Sequence, residues 1–167
     1  MTRPPALVRP RTDDDLPACV RALAEVHAAD RYPVDWPGDP AGWLTPDDLA
    51  QAWVAVDDDG RTVLGHVGLT RPDPHVTRLV GVSVSAVVSR LFVVPRARGR
   101  SVAAGLLAAA RAAHPSDGPP LTLEVSSEGR AAIAFYERNG WRRVSSSRGD
   151  WLNAAGEPAL LHHYVSP

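Results

Sequence analysis

Residues 91–107 read LFVVPRARGRSVAAGLL: an apolar strand, a proline, arginines among small residues, then an apolar run at helical spacing. Strand, small-residue turn and helix in that order can cradle an anion. The first amides of a helix lack partners within it, and the helix dipole adds positive character at the same place. Small side chains at Gly99, Ser101, Ala103 and Ala104 let an anion approach the backbone, while Arg98 and Arg100 offer charge-assisted contacts. An ordinary helix start with solvated arginines competes on equal terms with this reading. Two named loops are excluded. A P-loop needs a Gly-Lys pair and the chain has no lysine; a dinucleotide fingerprint needs three glycines where this turn has Gly99 alone.

On the N-terminal side, the valine-rich segment 85–94 (SAVVSRLFVV) reads as a strand central to a sheet. Before it, 51–70 (QAWVAVDDDGRTVLGHVGLT) reads as a hairpin, with two apolar runs flanking a DDDG turn. Residues 71–83 read as a loop with a short strand. Residues 6–11 form a first strand. The segment 12–29 is a helix with Thr12 as N-cap and Leu16, Cys19, Val20 and Leu23 on its core face. Residues 30–44 (DRYPVDWPGDPAGWL) form an aromatic-rich loop, and TPDD (45–48) starts a short helix with Thr45 as N-cap and Pro46 at its first position. After the opening stretch come a buried strand at 121–125, a helix over 128–139 closed by Asn139-Gly140, and strands at 141–147 and 160–165. The pattern predicts an α/β fold: a mixed, mostly antiparallel central sheet flanked by helices.

The 167 residues, 44% hydrophobic and 22% charged, suit one globular domain spanning 1–167. A net charge of −1 argues against a dedicated nucleic-acid binder. Cys19 alone permits no internal disulfide and suits a reducing cytoplasm. The N-terminal segment 1–10 lacks a leader's apolar core, and no apolar run approaches the ~18 residues of a membrane span. The histidines, including adjacent His162-His163, show no metal-ligand spacing, so no metal is expected.

A second segment lies about thirty residues downstream: AIAFYERNGW, residues 132–141. Together the two segments resemble the GNAT (Gcn5-related) N-acetyltransferase family, whose core runs strand, proline, Q/R-x-x-G-x-G/A and helix, followed by A-x-x-x-Y and a Gly-Phe pair. Here Arg98, Ser101 and Ala103 take the first motif's positions, and Ala132, Tyr136, Gly140 and Trp141 the second's. The segments YPVDWP and WLTP are similar to those of an actinobacterial-type group within that family.

The resemblance implies acetyl-CoA as co-substrate, lying between two central strands that part at a bulge, with an amine attacking its acetyl carbonyl directly. By position, the backbone of Phe92, Val93 and Val94 pairs with the pantetheine arm. The turn Arg98, Gly99, Arg100, Ser101, Val102, Ala103 and Ala104 holds the pyrophosphate. Tyr136 protonates the departing thiolate; a phenol of pKa about 10 can serve a thiol of pKa about 8.5. An amphipathic-helix residue with a surface hydroxyl is the alternative for Tyr136. Dimerisation is common in the family, so a homodimer is among the expected assemblies.

Two positions depart from the pattern: Ser101 replaces a glycine, tolerable where φ is negative, and Gly129 stands where many relatives have asparagine. The general base is less legible, because 85–94 contains no carboxylate. Glu124 is the first candidate, ahead of His66 and His75, with a water relay or capture of neutral amine as further routes. Tyr32, Asp35 and Trp36 are candidates for holding a small-molecule or peptide amine, beside Asp30, Asp39 and Trp43. A non-catalytic acyl-CoA-binding or sensor module on the same fold is the alternative function. Nucleic-acid binding through Arg96, Arg98 and Arg100 is a further rival.

Overall fold

A computed structural model describes residues 5–167; the first four residues, which begin the segment read as lacking a leader, lie outside it. Seven strands form: β1 (Leu7–Pro10), β2 (Leu49–Val56), β3 (Val63–Thr70), β4 (Ala86–Val93), β5 (Leu121–Ser126), β6 (Arg142–Leu152) and β7 (Pro158–Val165). They make a single sheet in the order β1-β2-β3-β4-β5-β7-β6. β1/β2, β2/β3, β5/β7 and β7/β6 pair antiparallel, and β4/β5 pair parallel. The helices are α1 (Leu16–Asp30), α2 (Pro40–Leu44), α3 (Pro74–Val80), α4 (Val102–Ala112) and α5 (Arg130–Arg138). The mixed, mostly antiparallel sheet with flanking helices is the expected architecture.

The chain divides into two compact units. One comprises Met1–Thr70 with Val88–His114. Its centre is β3, buried at all eight positions, which requires cover on both faces. Both α1 and α4 pack on it, and Leu106 and Val102 of α4 come so close that a Cβ at Gly65 would lie 2.9 and 3.1 Å from them. The entry to α1 is fixed by Asp15. Its carboxylate accepts two hydrogen bonds from Arg9 at 2.8 Å and one from the Thr12 amide at 2.7 Å. The Arg9 contact holds the Asp15 carboxyl at about 2.

The second unit comprises Arg71–Val87 with Pro115–Pro167. Here the start of β4 meets β5, with Ala86 opposite Leu121 and Val87 opposite Thr122. α5 docks on β7 through a hydrogen bond from the Tyr164 hydroxyl to Glu137 Oε1 at 2.9 Å and through the rings of Tyr136 and Tyr164, 6.4 Å apart.

Three expectations are corrected. The short helix near 45 lies one turn earlier, over Pro40–Leu44, where the Asp39 carboxylate accepts from the Gly42 amide and Pro40 takes the first helical position. Thr45 ends that helix instead of starting one. Residues 71–83 contain α3, capped by the Asp73 side chain on the Val76 amide and closed by Gly81 at φ 80°. β6 continues five residues beyond Ser147, to Leu152.

Candidate functional site

After β4 the chain makes a 3-10 turn, Pro95–Ala97, and enters α4 through Arg98, Gly99, Arg100 and Ser101. Gly99 (φ 74°) and Ser101 (φ 59°) both lie in the left-handed region. The expectation of negative φ at Ser101 is therefore wrong. Serine occupies a conformation that glycine adopts freely, at about 1 kcal/mol of strain. The geometry has a further effect. An N-cap serine normally has extended backbone, which brings its hydroxyl onto the helix amides. Left-handed Ser101 makes no side-chain cap bond, so its hydroxyl leaves the start of α4 uncovered. Ser101 itself is exposed and Val102 is buried, while Ala103 and Ala104 are half-buried.

The turn's arginines are engaged with acids: Arg98 with Asp30 through both Nη atoms, Arg96 with Glu25 at 3.3 Å and Arg100 with Asp57 at 3.9 Å. Arg98 also donates to the Val93 carbonyl at 3.3 Å. Of the strand residues proposed for the cofactor arm, Phe92 and Val94 are buried and Val93 is half-buried. The Val94 amide donates to the Leu64 carbonyl. A Cβ at Gly65 would lie 2.9 Å from the Phe92 carbonyl oxygen, so glycine lets β3 approach β4 at that point.

Arg90, in the middle of β4, has φ 52°. A left-handed residue inside a strand disturbs the alternation and re-aims its side chain. His66, fully buried on β3, contacts the Arg90 carbonyl through Nδ1 at 2.9 Å and Arg11 Nη1 through Nε2 at 2.9 Å. An arginine only donates, so Nε2 accepts and Nδ1 carries the proton. Burial lowers the His66 pKa to about 4, with the two arginines adding repulsion. The ring also stacks on Phe92 at 5.3 Å. His66 is thus a neutral strut with both nitrogens committed.

In the second unit, Tyr136 is the buried residue of α5, with ring centroids 5.4 Å from Phe135, 6.0 Å from Trp141 and 6.4 Å from Tyr164. Ile133 and Phe135 are less buried than Tyr136, the reverse of a helix that packs its aliphatics and shows its tyrosine. Glu124 on β5 has a side chain 52% exposed, with Oε2 4.0 Å from His163 Nδ1. That separation is too long for a hydrogen bond. His163 Nε2 lies 2.7 Å from Ser147 Oγ, and His75 is exposed in the first turn of α3. Gly129 caps α5, and a Cβ there would lie 3.2 Å from the Ser126 carbonyl oxygen.

The three substrate candidates lie in different surroundings. Tyr32 stands edge-on to Trp43 at 6.0 Å, and burial pushes its hydroxyl up to about 12. Trp36 packs on His27 at 5.3 Å, and Asp35 is exposed. The cluster around Tyr32 instead keeps Trp43, named beside it from the sequence, and adds Arg90 and Arg11, which sequence reasoning missed. A charged residue inside the valine-rich strand was the available signal for Arg90. Buried Cys19, pushed up to about 12 by burial, is no nucleophile. Among the described residues no group of three His, Cys, Asp or Glu side chains can hold a metal, and no helix is long and apolar enough to cross a membrane.

Residues 48–143 match the family described as acetyltransferase (GNAT) domain. Comparison with curated proteins gives no match. Among solved structures, the chain is similar to NAA60 of Arabidopsis thaliana in complex with acetyl-CoA, at 19% identity and a TM-score of 0.71, covering 96% of this chain and 97% of that one. It is also similar to an N-acetyltransferase from Staphylococcus aureus Mu50 (15%, TM-score 0.74, 97% and 98% covered). A third is the ribosomal-protein-S18-alanine N-acetyltransferase of Escherichia coli (17%, TM-score 0.68, 97% and 95%).

Proposed function

Because the chain belongs to the acetyltransferase (GNAT) family, we propose that it moves the acetyl group of acetyl-CoA to a primary amine, with residues 1–167 acting as one catalytic domain. The observation that carries this reading is the start of α4. Two left-handed residues, Gly99 and Ser101, lead into a helix end that Ser101 does not cap, one 3-10 turn after the end of β4 and Val94. Amides and dipole there suit a pyrophosphate. The backbone is the main ligand, since Arg98 and Arg100 already face carboxylates. The acetyl-CoA held by the Arabidopsis relative supports the choice of co-substrate.

Acetyl-CoA supplies a thioester whose carbonyl carbon the amine attacks directly, with the carbon–sulfur bond breaking. Tyr136 donates its phenolic proton to the departing thiolate. Glu124, exposed on β5, accepts the amine's proton through water. The segments YPVDWP and WLTP support a kinship with actinobacterial-type relatives, and the buried lone cysteine supports a cytoplasmic location. The test is calorimetry with acetyl-CoA followed by an amine-library acetylation screen. Micromolar binding with transfer to at least one amine is expected, and absence of binding to both acetyl-CoA and CoA would overturn the reading. A non-catalytic acyl-CoA sensor is the second reading, favoured by the absence of a carboxylate from β4. Binding without transfer to any amine would leave that one standing.

A further inference from the structure

The segment from Tyr32 to Thr45 and the middle of β4 meet around two cations. The Arg90 guanidinium carbon lies 4.7 Å from the Trp43 ring centroid, and its Nε donates to the Trp43 carbonyl. Arg11 Nη1 donates to the next carbonyl, Leu44, at 2.8 Å, and its Nη2 donates to Thr45 Oγ1 at 3.0 Å. The two guanidiniums therefore hang from consecutive carbonyls, bridged through His66, whose Nδ1 holds the Arg90 carbonyl and whose Nε2 meets Arg11. Stacking and the Nε bond fix the Arg90 plane, yet its two Nη atoms make no hydrogen bond among the described residues. Neither arginine has a described carboxylate within 4.0 Å. Asp48 is close enough to be felt by Arg90, and Asp13 and Asp15 by Arg11, but all three lie outside that distance, and Asp15 is paired with Arg9.

Two half-buried guanidiniums with no carboxylate in direct contact are unfavourable, since partial desolvation penalises each charge and neutral carbonyls do not compensate it. Burial lowers the pKa of both. Nor is Arg90's position the relaxed one for a strand: its left-handed backbone is held by a fully buried histidine. Strain of this kind persists where the surroundings impose it, often where a side chain must face a ligand. Arg90 also precedes by two residues Phe92, which the proposed function places beside the pantetheine arm, roughly 7 Å along the strand.

We infer that Arg90, backed by Arg11 and walled by Trp43 and Tyr32, binds an oxyanion carried by the acceptor, so that the substrate is an amine bearing a carboxylate. This rests on the proposed acetyl transfer and deepens it by naming the acceptor's chemical class. The planar guanidinium presents two parallel N–H donors to the two carboxylate oxygens, a geometry that a carboxamide cannot reproduce.

The test uses the full chain saturated with CoA, whose binding is first measured alone, so that loss of the cofactor reading is seen separately. Thermal shift and, with acetyl-CoA, acetylation are recorded for the common amino acids and their carboxamides. A parallel set of peptides has Asp or Asn as first residue, separating a main-chain from a side-chain carboxylate. At least one acid should stabilise the CoA complex where its amide does not, and be acetylated with a KM at least tenfold lower. Arg90→Gln should erase that difference by raising KM for the acid while leaving CoA affinity within threefold. Arg90→Lys should restore part of it. Equal responses to every acid–amide pair would overturn the inference. So would an Arg90→Gln variant that is folded by circular dichroism and keeps the preference, or one that loses CoA affinity instead, which would assign the arginine to the cofactor's phosphates.

Discussion

Tyr136 and His66 are both buried polar side chains, and their surroundings separate their roles. Tyr136 is buried among three aromatic rings, and its phenolic hydroxyl is the group there that can donate a proton. Removing one general acid typically lowers a rate by about 10²–10⁴-fold. Tyr136→Phe is therefore expected to reduce kcat by about two orders of magnitude or more while acetyl-CoA affinity stays within threefold; unchanged kcat would remove its role. In the same assay Glu124→Gln should lower the rate most near neutral pH, where a carboxylate is ionised and an alkyl amine still carries its proton, and least at alkaline pH, where the amine is already neutral. His66 makes a statement about stability. Its folded pKa of about 4 lies below its ordinary 6.5, so the unfolded chain binds one more proton between those values. The stability this neutral histidine confers is fully present above pH 6.5 and is lost as pH falls through 4, at about 1.4 kcal/mol per pH unit. Urea unfolding from pH 7 to 4.5 should show that slope, and His66→Gln should flatten it by about one proton.

At the level of elements, the start of α4 joins local backbone to the proposed binding of CoA. Ser101 is exposed, so a large side chain there meets solvent and not the core. Ser101→Trp should leave the melting temperature within a few degrees yet weaken CoA binding at least tenfold by covering the amides; undiminished affinity in calorimetry would reduce the turn to a corner. The strands and long helices were legible because their apolar spacing is a property of the chain itself. β2, β3, β4, α1, α4 and α5 lie within a few residues of where pattern reading puts them. Two short helices were misread for a common reason. Both begin with Asp-Pro, Asp39-Pro40 and Asp73-Pro74, and each carboxylate caps an amide three residues on. Five- and seven-residue helices contain too few turns for periodicity to register, so the cap was the only signal. The left-handed Ser101 and Arg90 were illegible because tertiary packing, not residue type, selects those angles. The Arg11–His66–Arg90 link joins three segments far apart in sequence, and no local pattern encodes it.

For the whole molecule, charge and ligand linkage lead to a last expectation. With a net charge of −1, the chain as a whole offers no attraction to a polyanionic cofactor. On the proposed reading its recognition comes from local dipoles and amides, which salt screens less than exposed ion pairs. Affinity for CoA should therefore fall by less than tenfold between 50 and 300 mM salt, roughly, in contrast to binding through a field of free arginines. The three turn arginines, each facing an acid, fit that expectation. A ligand that binds only the folded chain stabilises it by about 2.7 kcal/mol at a hundredfold excess over Kd. For a chain of this size that corresponds to a rise in melting temperature of about 5–10 °C. Differential scanning fluorimetry with acetyl-CoA should show the rise at both salt concentrations. A shift that vanishes at the higher salt would mean that the arginines leave their carboxylates to hold the phosphates, and that the backbone is the lesser ligand.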